Sequence, residues 1–332
     1  RLRSQIVVRS FDLPHLVPKI SKERYILKRR SLFGYSAGLA AVGTWANPVG
    51  ALAAPAKAAP RTLVVEAVQM PAWTTRAGQR VPLAPGAAVS TDHEVETAAG
   101  AAIALRMPEG SLIRLGEATR LGIQRLEVNE SDGRTAVQSE LKLFDGFFRF
   151  ATSAVAKIAG QRKIDVSLRT ATIGIRGTDF WTMTDAEHDA TCLFEGKVDL
   201  ATRDQGALTL DKPTAFWARF FDQPVMPVGN ATPDELNKFL ASTELQPGKG
   251  VAVEGGRWRV VAATLAADAA AAALAKRLQG QGYPAVIRNK NVAGKTVHEV
   301  RVNQLATRSD AQAVLDRIAS VEGVNGRVAL SA

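Results

Sequence analysis

Ile173-Gly174-Ile175-Arg176-Gly177-Thr178-Asp179-Phe180, followed after a turn by Leu193-Phe194-Glu195-Gly196-Lys197-Val198, is the stretch whose reading decides the fold. It is too short and too glycine-rich for a helix, and its β-branched and aromatic residues suit strands. Gly174 and Gly177 flank Arg176, a pattern that marks close backbone approach or a bulge. An arginine drawn into a fold needs a carboxylate or carbonyl for its planar fork, and Asp179 and Glu195 are the candidates.

Outward from this stretch, Leu63 to about Trp217 keeps the same character: short alternating runs broken by turns, without a sustained helical period. Ile103, Leu105 and Met107 alternate, Pro108-Glu109-Gly110 turns the chain, and Leu112 to Leu115 resumes. Leu141 to Leu143 runs into Asp145-Gly146, which reads as a hairpin, before Phe148 and Phe150 alternate about Arg149. The pattern predicts an all-β domain over residues 59–230.

Three motifs in order then carry a resemblance. Gly174-Ile175-Arg176-Gly177-Thr178-Asp179-Phe180, Glu195-Gly196-Lys197-Val198 and the upstream Pro108-Glu109-Gly110-Ser111-Leu112 resemble the FecR domain, with a core over 81–202. The resemblance implies an all-β periplasmic domain found in signal transducers and other envelope proteins. In those transducers a helical sigma-factor-binding segment precedes a membrane span. The sequence ahead of the export signal described next is too short for that unit, so iron-regulator activity is not expected here.

The 332 residues suffice for two domains, and 46% apolar against 22% charged residues excludes wholesale disorder. The net charge of +10 belongs mostly to residues 1–58, which contribute +8. Within that leader, Lys28-Arg29-Arg30-Ser31-Leu32-Phe33 opens a 26-residue uncharged run from Ser31 to Ala56 that ends in small-x-small patterns. It resembles a twin-arginine signal peptide, with Arg29 and Arg30 as the pair. An N-terminal membrane anchor is the alternative, weakened by Gly34, Gly38, Gly43 and Pro48. Export places the remainder in the periplasm, with the membrane involved only through the leader.

Little material for catalysis or metal binding is present. One cysteine, Cys192, and four histidines exclude a disulfide framework and a cysteine-cluster zinc site. Asp185, Glu187, His188 and Asp189 crowd one turn beside Cys192, but acidic neighbours do not activate a thiol. No cofactor, metal or enzymatic activity is expected.

Thr232-Pro233-Asp234-Glu235 spells a capping box, predicting a helix to about Thr243 whose Leu236, Phe239 and Leu240 dock on the β domain. Glu244 to Gly256, with Pro247 and four glycines, reads as a linker, so residues 231–255 form helix plus linker. Residues 256–332 carry a net +6 and an internal echo. Ala271, Leu274, Ala275 and Leu278 form one apolar stripe, and Ala311, Val314, Leu315 and Ile318 another, with Ser309 and Gln312 capping the second helix. Flanking strands give the order βαββαβ, a small α+β module of ferredoxin-like or RNP-like type with one open sheet face. RNA is not the expected ligand, because Thr296 to Val302 lacks stacking aromatics and the module follows an export signal.

Gln279-Gly280-Gln281-Gly282-Tyr283-Pro284-Ala285 and Val300-Arg301-Val302 through Ser309-Asp310-Ala311 resemble a SPOR domain, which implies peptidoglycan binding on the open face. Two features of that family are replaced: its Gln then Gly on the first strand, where this chain reads Trp258-Arg259-Val260-Val261-Ala262-Ala263, and its Gly-Pro-aromatic after the third strand, where it reads Asn303-Gln304-Leu305. Period-two alternation places Glu299 and Arg301 on the open face, with Trp258 or Arg259 beside them according to register. These four are the glycan-binding candidates, since an indole packs on sugar rings and arginine reaches hydroxyls and carboxylates. The sequence thus points to an exported, non-catalytic envelope protein with peptidoglycan, and another envelope protein, as partners. A periplasmic signal-transduction component is the alternative.

Overall fold

The computed structural model describes residues 62–131, 134–153 and 162–331; Arg29, Arg30 and the leader fall outside them. Alternation dominates the β region: along Leu63–Gln69, Leu63 and Val65 are buried while Val64 and Glu66 are half-buried. One sheet runs Leu63–Gln69, Ala102–Arg106, Leu112–Leu115, the end of Arg134–Ala151, Asp179–Thr184, His188–Glu195 and Ala215–Phe220. The second includes Ala72–Arg76, His93–Thr97, Arg120–Ser131, the start of Arg134–Ala151, Arg162–Ser167, Ala171–Ile175 and Val198–Thr202. Ile113, Phe148, Phe150 and Phe180 from the first meet Leu141, Ile173 and Val198 from the second in one buried core.

Asp145-Gly146 is not a hairpin. The Arg134–Ala151 strand continues through it, pairing with Arg120–Ser131 up to Asp145 and with Asp179–Thr184 from Gly146 onward. Gly146 adopts φ +97°, and a Cβ there would lie 2.2 Å from Thr119 Oγ1. Only glycine can make this corner, by which one strand serves both sheets.

Helix α1, Pro233–Ala241, has the expected box: Thr232 Oγ1 accepts from the Glu235 N–H, and the Glu235 carboxylate accepts from the Thr232 N–H. Phe239 stacks on Trp181 at 4.1 Å, and Trp181 Nε1 donates to Ser242 Oγ at 2.9 Å. The helix therefore covers an aromatic patch on the outer side of the first sheet.

Arg176 is not drawn into the fold. Its side chain is 72% exposed and pairs with Asp199 at 2.6 Å, while Asp179 is held by Arg149 through two bonds of 2.9 and 2.8 Å. Arg149 is 13% exposed and reaches Glu244 as well, at 3.0 Å. The reason is register: Arg149 faces Trp181 across the sheet beside Asp179, whereas Arg176 follows the end of its strand.

In the C-terminal module the antiparallel order is Ala285–Val292, Lys295–Leu305, Trp258–Leu265, Arg327–Leu330. Helices α2, Asp268–Gly280, and α3, Arg308–Ile318, bury Ala271, Leu274, Ala275 and Leu278, and Ala311, Val314 and Ile318. Leu315 is partly buried. The cap of α3 is Thr307 rather than Ser309: Thr307 Oγ1 accepts from the Asp310 N–H at 3.1 Å.

The expected linker is built into the sheet. Val251–Val253 is a strand that pairs antiparallel with Leu63–Gln69, and Ala252 also pairs with Leu305. The Asp310 carboxylate, fully buried, accepts the N–H groups of Gly248, Gly250 and Val251 at 2.7, 3.1 and 2.9 Å. Arg317 donates to the Met70 carbonyl at 2.7 Å, and Gly282 sits so close to Trp73 that a Cβ would lie 2.7 Å from its ring. Glycines in this segment supply tight turns rather than freedom: Gly248 and Gly250 adopt φ +83° and +86°.

Removing a largely buried guanidinium leaves its carboxylate partner uncompensated, whereas an exposed pair contributes little. Arg149→Ala should therefore lower unfolding stability by about 3 kcal/mol, and Arg176→Ala by less than about 1 kcal/mol. Urea melts of the two variants check this; equal losses would contradict the assignment.

Candidate functional site

Lys295–Leu305 is the central strand of the C-terminal sheet, and its alternation sets the chemistry of both faces. Val300 and Val302 are fully buried toward the helices. Glu299 and Arg301 point the other way, opposite Arg288 and Val286 on one neighbouring strand. Across the other neighbour, Arg301 faces Val261, which in turn faces Arg327.

Glu299 is only 3% exposed although it stands on the face free of helices. Its cover is cationic. Arg301 Nε donates to Glu299 Oε2 at 2.8 Å and its Nη2 bonds the same oxygen. Arg327 Nη2 lies 3.6 Å and Lys290 Nζ 4.0 Å from Oε1. Burial pushes the Glu299 carboxyl up, but the Arg301 hydrogen bond and the charges of Arg301, Lys290 and Arg327 outweigh it and hold the group below the usual carboxylate range. Arg301 is 18% exposed and fixed, while Arg327 and Lys290 are 62% and 56% exposed. The result is a charged surface with one anchored guanidinium and two exposed cations at its rim.

Of the four sequence candidates, the structure brings Glu299 and Arg301 into contact and sets Arg259 on the same face, opposite Ala329. Trp258 is turned away: it packs against the buried core. Val260 pairs with Val302 on the helix side, so the residue two before it shares that side and the indole is lost to the open face. Sequence reasoning missed Arg288, Lys290 and Arg327. Arg288 and Lys290 are two apart on one strand, which was the available signal.

The motif residues of the β domain form a packed corner. Gly177 and Gly196 adopt φ +71° and +85°, and a Cβ on Gly196 would lie 2.6 Å from the Gly177 carbonyl. Thr178 is buried, its N–H donating to Thr152 Oγ1 at 3.0 Å, and Phe180 is fully buried. Gly174 pairs with Asp199, and Asp179 stands opposite Glu195, which is exposed. The hydrogen bond from Arg176 first, and that from Thr209, hold the Asp199 carboxyl below its ordinary value despite some burial. In the acidic turn, Asp185 Oδ1 accepts from the N–H groups of Glu187 and His188, both at 2.8 Å. Burial, with the Glu235 charge, pushes the Cys192 thiol up to about 12, so it is protonated at neutral pH and no thiolate stands beside His188. Among the described residues no group of three or more His, Cys, Asp or Glu could hold a metal ion, and no helix is long and apolar enough to cross a membrane.

The FecR protein family matches residues 93–199, and the SPOR domain family matches residues 254–328. Two solved structures of a candidate anti-sigma factor from Parabacteroides distasonis ATCC 8503 are similar. The one at 1.65 Å is 13% identical, covering 62% of this chain and 97% of its own, with a TM-score of 0.32. The one at 2.50 Å is 14% identical, covering 71% and 97%, with a TM-score of 0.34. No curated protein matches. Both matched families are binding or signalling families, and SPOR domains bind peptidoglycan. The chain carries a FecR domain followed by a C-terminal SPOR domain.

Proposed function

We propose that this is an exported, non-catalytic cell-envelope protein that binds the glycan strands of peptidoglycan through the open face of its SPOR domain. The βαββαβ module is of ferredoxin-like type, and the FecR domain is a sensing or protein-interaction unit. The observation that carries the reading is the cationic open face: Arg301, Arg327 and Lys290 gather about the Glu299 carboxylate, with Arg288 opposite it and Arg259 farther along the same face. Glu299 orients Arg301, which presents its remaining donors to sugar hydroxyls and carboxylates. Trp258 is half-buried and packs against the core on the helix side, so recognition rests on guanidinium hydrogen bonds and charge rather than on indole stacking.

The FecR domain favours a second reading, a periplasmic signal-transduction component. Loss of the gene would then change transcription even where wall binding is retained.

The full chain should sediment with purified cell-wall sacculi at physiological salt. Arg301→Ala with Arg327→Ala should weaken this about tenfold, by loss of two charge-assisted contacts. Lys276→Ala with Arg308→Ala, on the exposed sides of α2 and α3, should bind normally. Equal loss in both double variants would mean charge alone, and normal binding by Arg301→Ala/Arg327→Ala would remove the face from the account.

The ion pairs of Glu299 also set an acid response. A carboxyl whose folded pKa is depressed contributes stability that is present above the unfolded value and lost as pH falls through the folded one. Wild-type melting temperature should therefore fall more steeply than that of Glu299→Gln as pH drops through and below the ordinary carboxylate range. Parallel curves would show that the cluster adds nothing to folding.

Export through the paired arginines is part of the same reading. Arg29→Lys with Arg30→Lys should leave the protein in the cytoplasm; unchanged periplasmic recovery on fractionation would exclude the twin-arginine route.

A further inference from the structure

A cleft of about 290 Å³ opens where the FecR domain, the end of α1, the joining segment and α3 meet. Its lining carries charges of both signs: Glu117 from the FecR domain and Glu244 just after α1, with Lys249 from the joining segment and Arg317 from α3. Gln69 and Ser242 also line it. The acids are fixed. Glu117 Oε2 accepts the Gly100 N–H at 2.7 Å, and Glu244 Oε1 is held by Arg149 at 3.0 Å and Arg114 at 3.7 Å. Each therefore keeps one carboxylate oxygen, Glu117 Oε1 and Glu244 Oε2, without a hydrogen bond among the described residues. Arg317 uses Nη1 on the Met70 carbonyl, and the Lys249 ammonium has no ion pair or side-chain hydrogen bond among the described residues.

We propose that this cleft binds a small zwitterion, an amino acid or dipeptide, with its carboxylate toward Lys249 and Arg317 and its ammonium toward Glu117 and Glu244. Size and charge together select the class. The volume lies at the small end of ligand pockets, too small for a glycan strand. A simple anion or cation would meet attraction from one pair of charges and repulsion from the other, whereas opposite charges a few ångströms apart can satisfy both. The cleft includes Arg317 of α3, which packs on the sheet face opposite Glu299, so the site is independent of the glycan-binding face. A ligand spanning it touches both domains and stabilises the folded chain by mass action.

Calorimetric titration of the full chain with alanyl-alanine, in L,L and D,D forms, tests this. At least one form should bind and raise the melting temperature. Its N-acetylated and C-amidated derivatives, each lacking one charge, should bind at least about tenfold more weakly. Lys249→Ala and Glu117→Gln should each cost the free dipeptide about tenfold in affinity. Neither should move the melting temperature of the unliganded chain, because Lys249 is exposed and the Glu117→Gln side chain retains a carbonyl oxygen to accept the Gly100 N–H. Absence of binding up to about 10 mM, or blocked dipeptides that bind as well as the free one, would overturn the proposal.

Discussion

Three residues, Val251 to Val253, hold the architecture together because both edges of their short strand are used. Ala67, Val68 and Gln69 pair along one side, and Leu305 meets Ala252 on the other. The backbone leading into this strand would leave buried N–H groups unmatched, and the buried Asp310 carboxylate takes three of them. Asp310 belongs to the first turn of α3, so the same carboxylate serves the helix, through Thr307, and the joint. The FecR and SPOR sheets are consequently one hydrogen-bonded surface rather than two domains on a tether.

That constraint accounts for the departures from the SPOR pattern. Where the family has Gly-Pro-aromatic, this chain has Asn303-Gln304-Leu305, and Gln304 adopts φ +63°, which proline cannot. Leu305 is fully buried and pairs with both Trp258 and Ala252. The third strand thus runs on into the joint instead of ending in a turn, and Trp258 on the first strand packs inward beside it. What looks like lost ligand chemistry in the sequence is structural chemistry at the seam.

Local order was legible wherever one physical rule decided it. The capping box at Thr232 and Glu235, the stripe from Ala271 to Leu278 and the alternation about Val300 and Val302 each follow from spacing alone. Misreadings arose where tertiary context overrode local signals. Asp145-Gly146 is a turn dipeptide used as a corner between sheets, and a glycine-rich segment became a strand because Asp310, about sixty residues away, satisfies it. Arg176 and Arg149 illustrate the limit for sites. Both are arginines next to aromatic or glycine-rich strand sequence, but only the pairing register reveals which one reaches Asp179. Likewise Glu299 and Arg301 were visible from alternation, while Lys290 and Arg327 join them only through neighbouring strands.

Amide hydrogen exchange at Val251, Ala252 and Val253 in the full chain tests the joined sheet most directly. The account predicts protection as strong as that of Leu63–Gln69 and Lys295–Leu305, because the three amides open only when the surrounding sheet does. Exchange at the rate of an unstructured segment, with both flanking strands still protected, would show a flexible tether and contradict it.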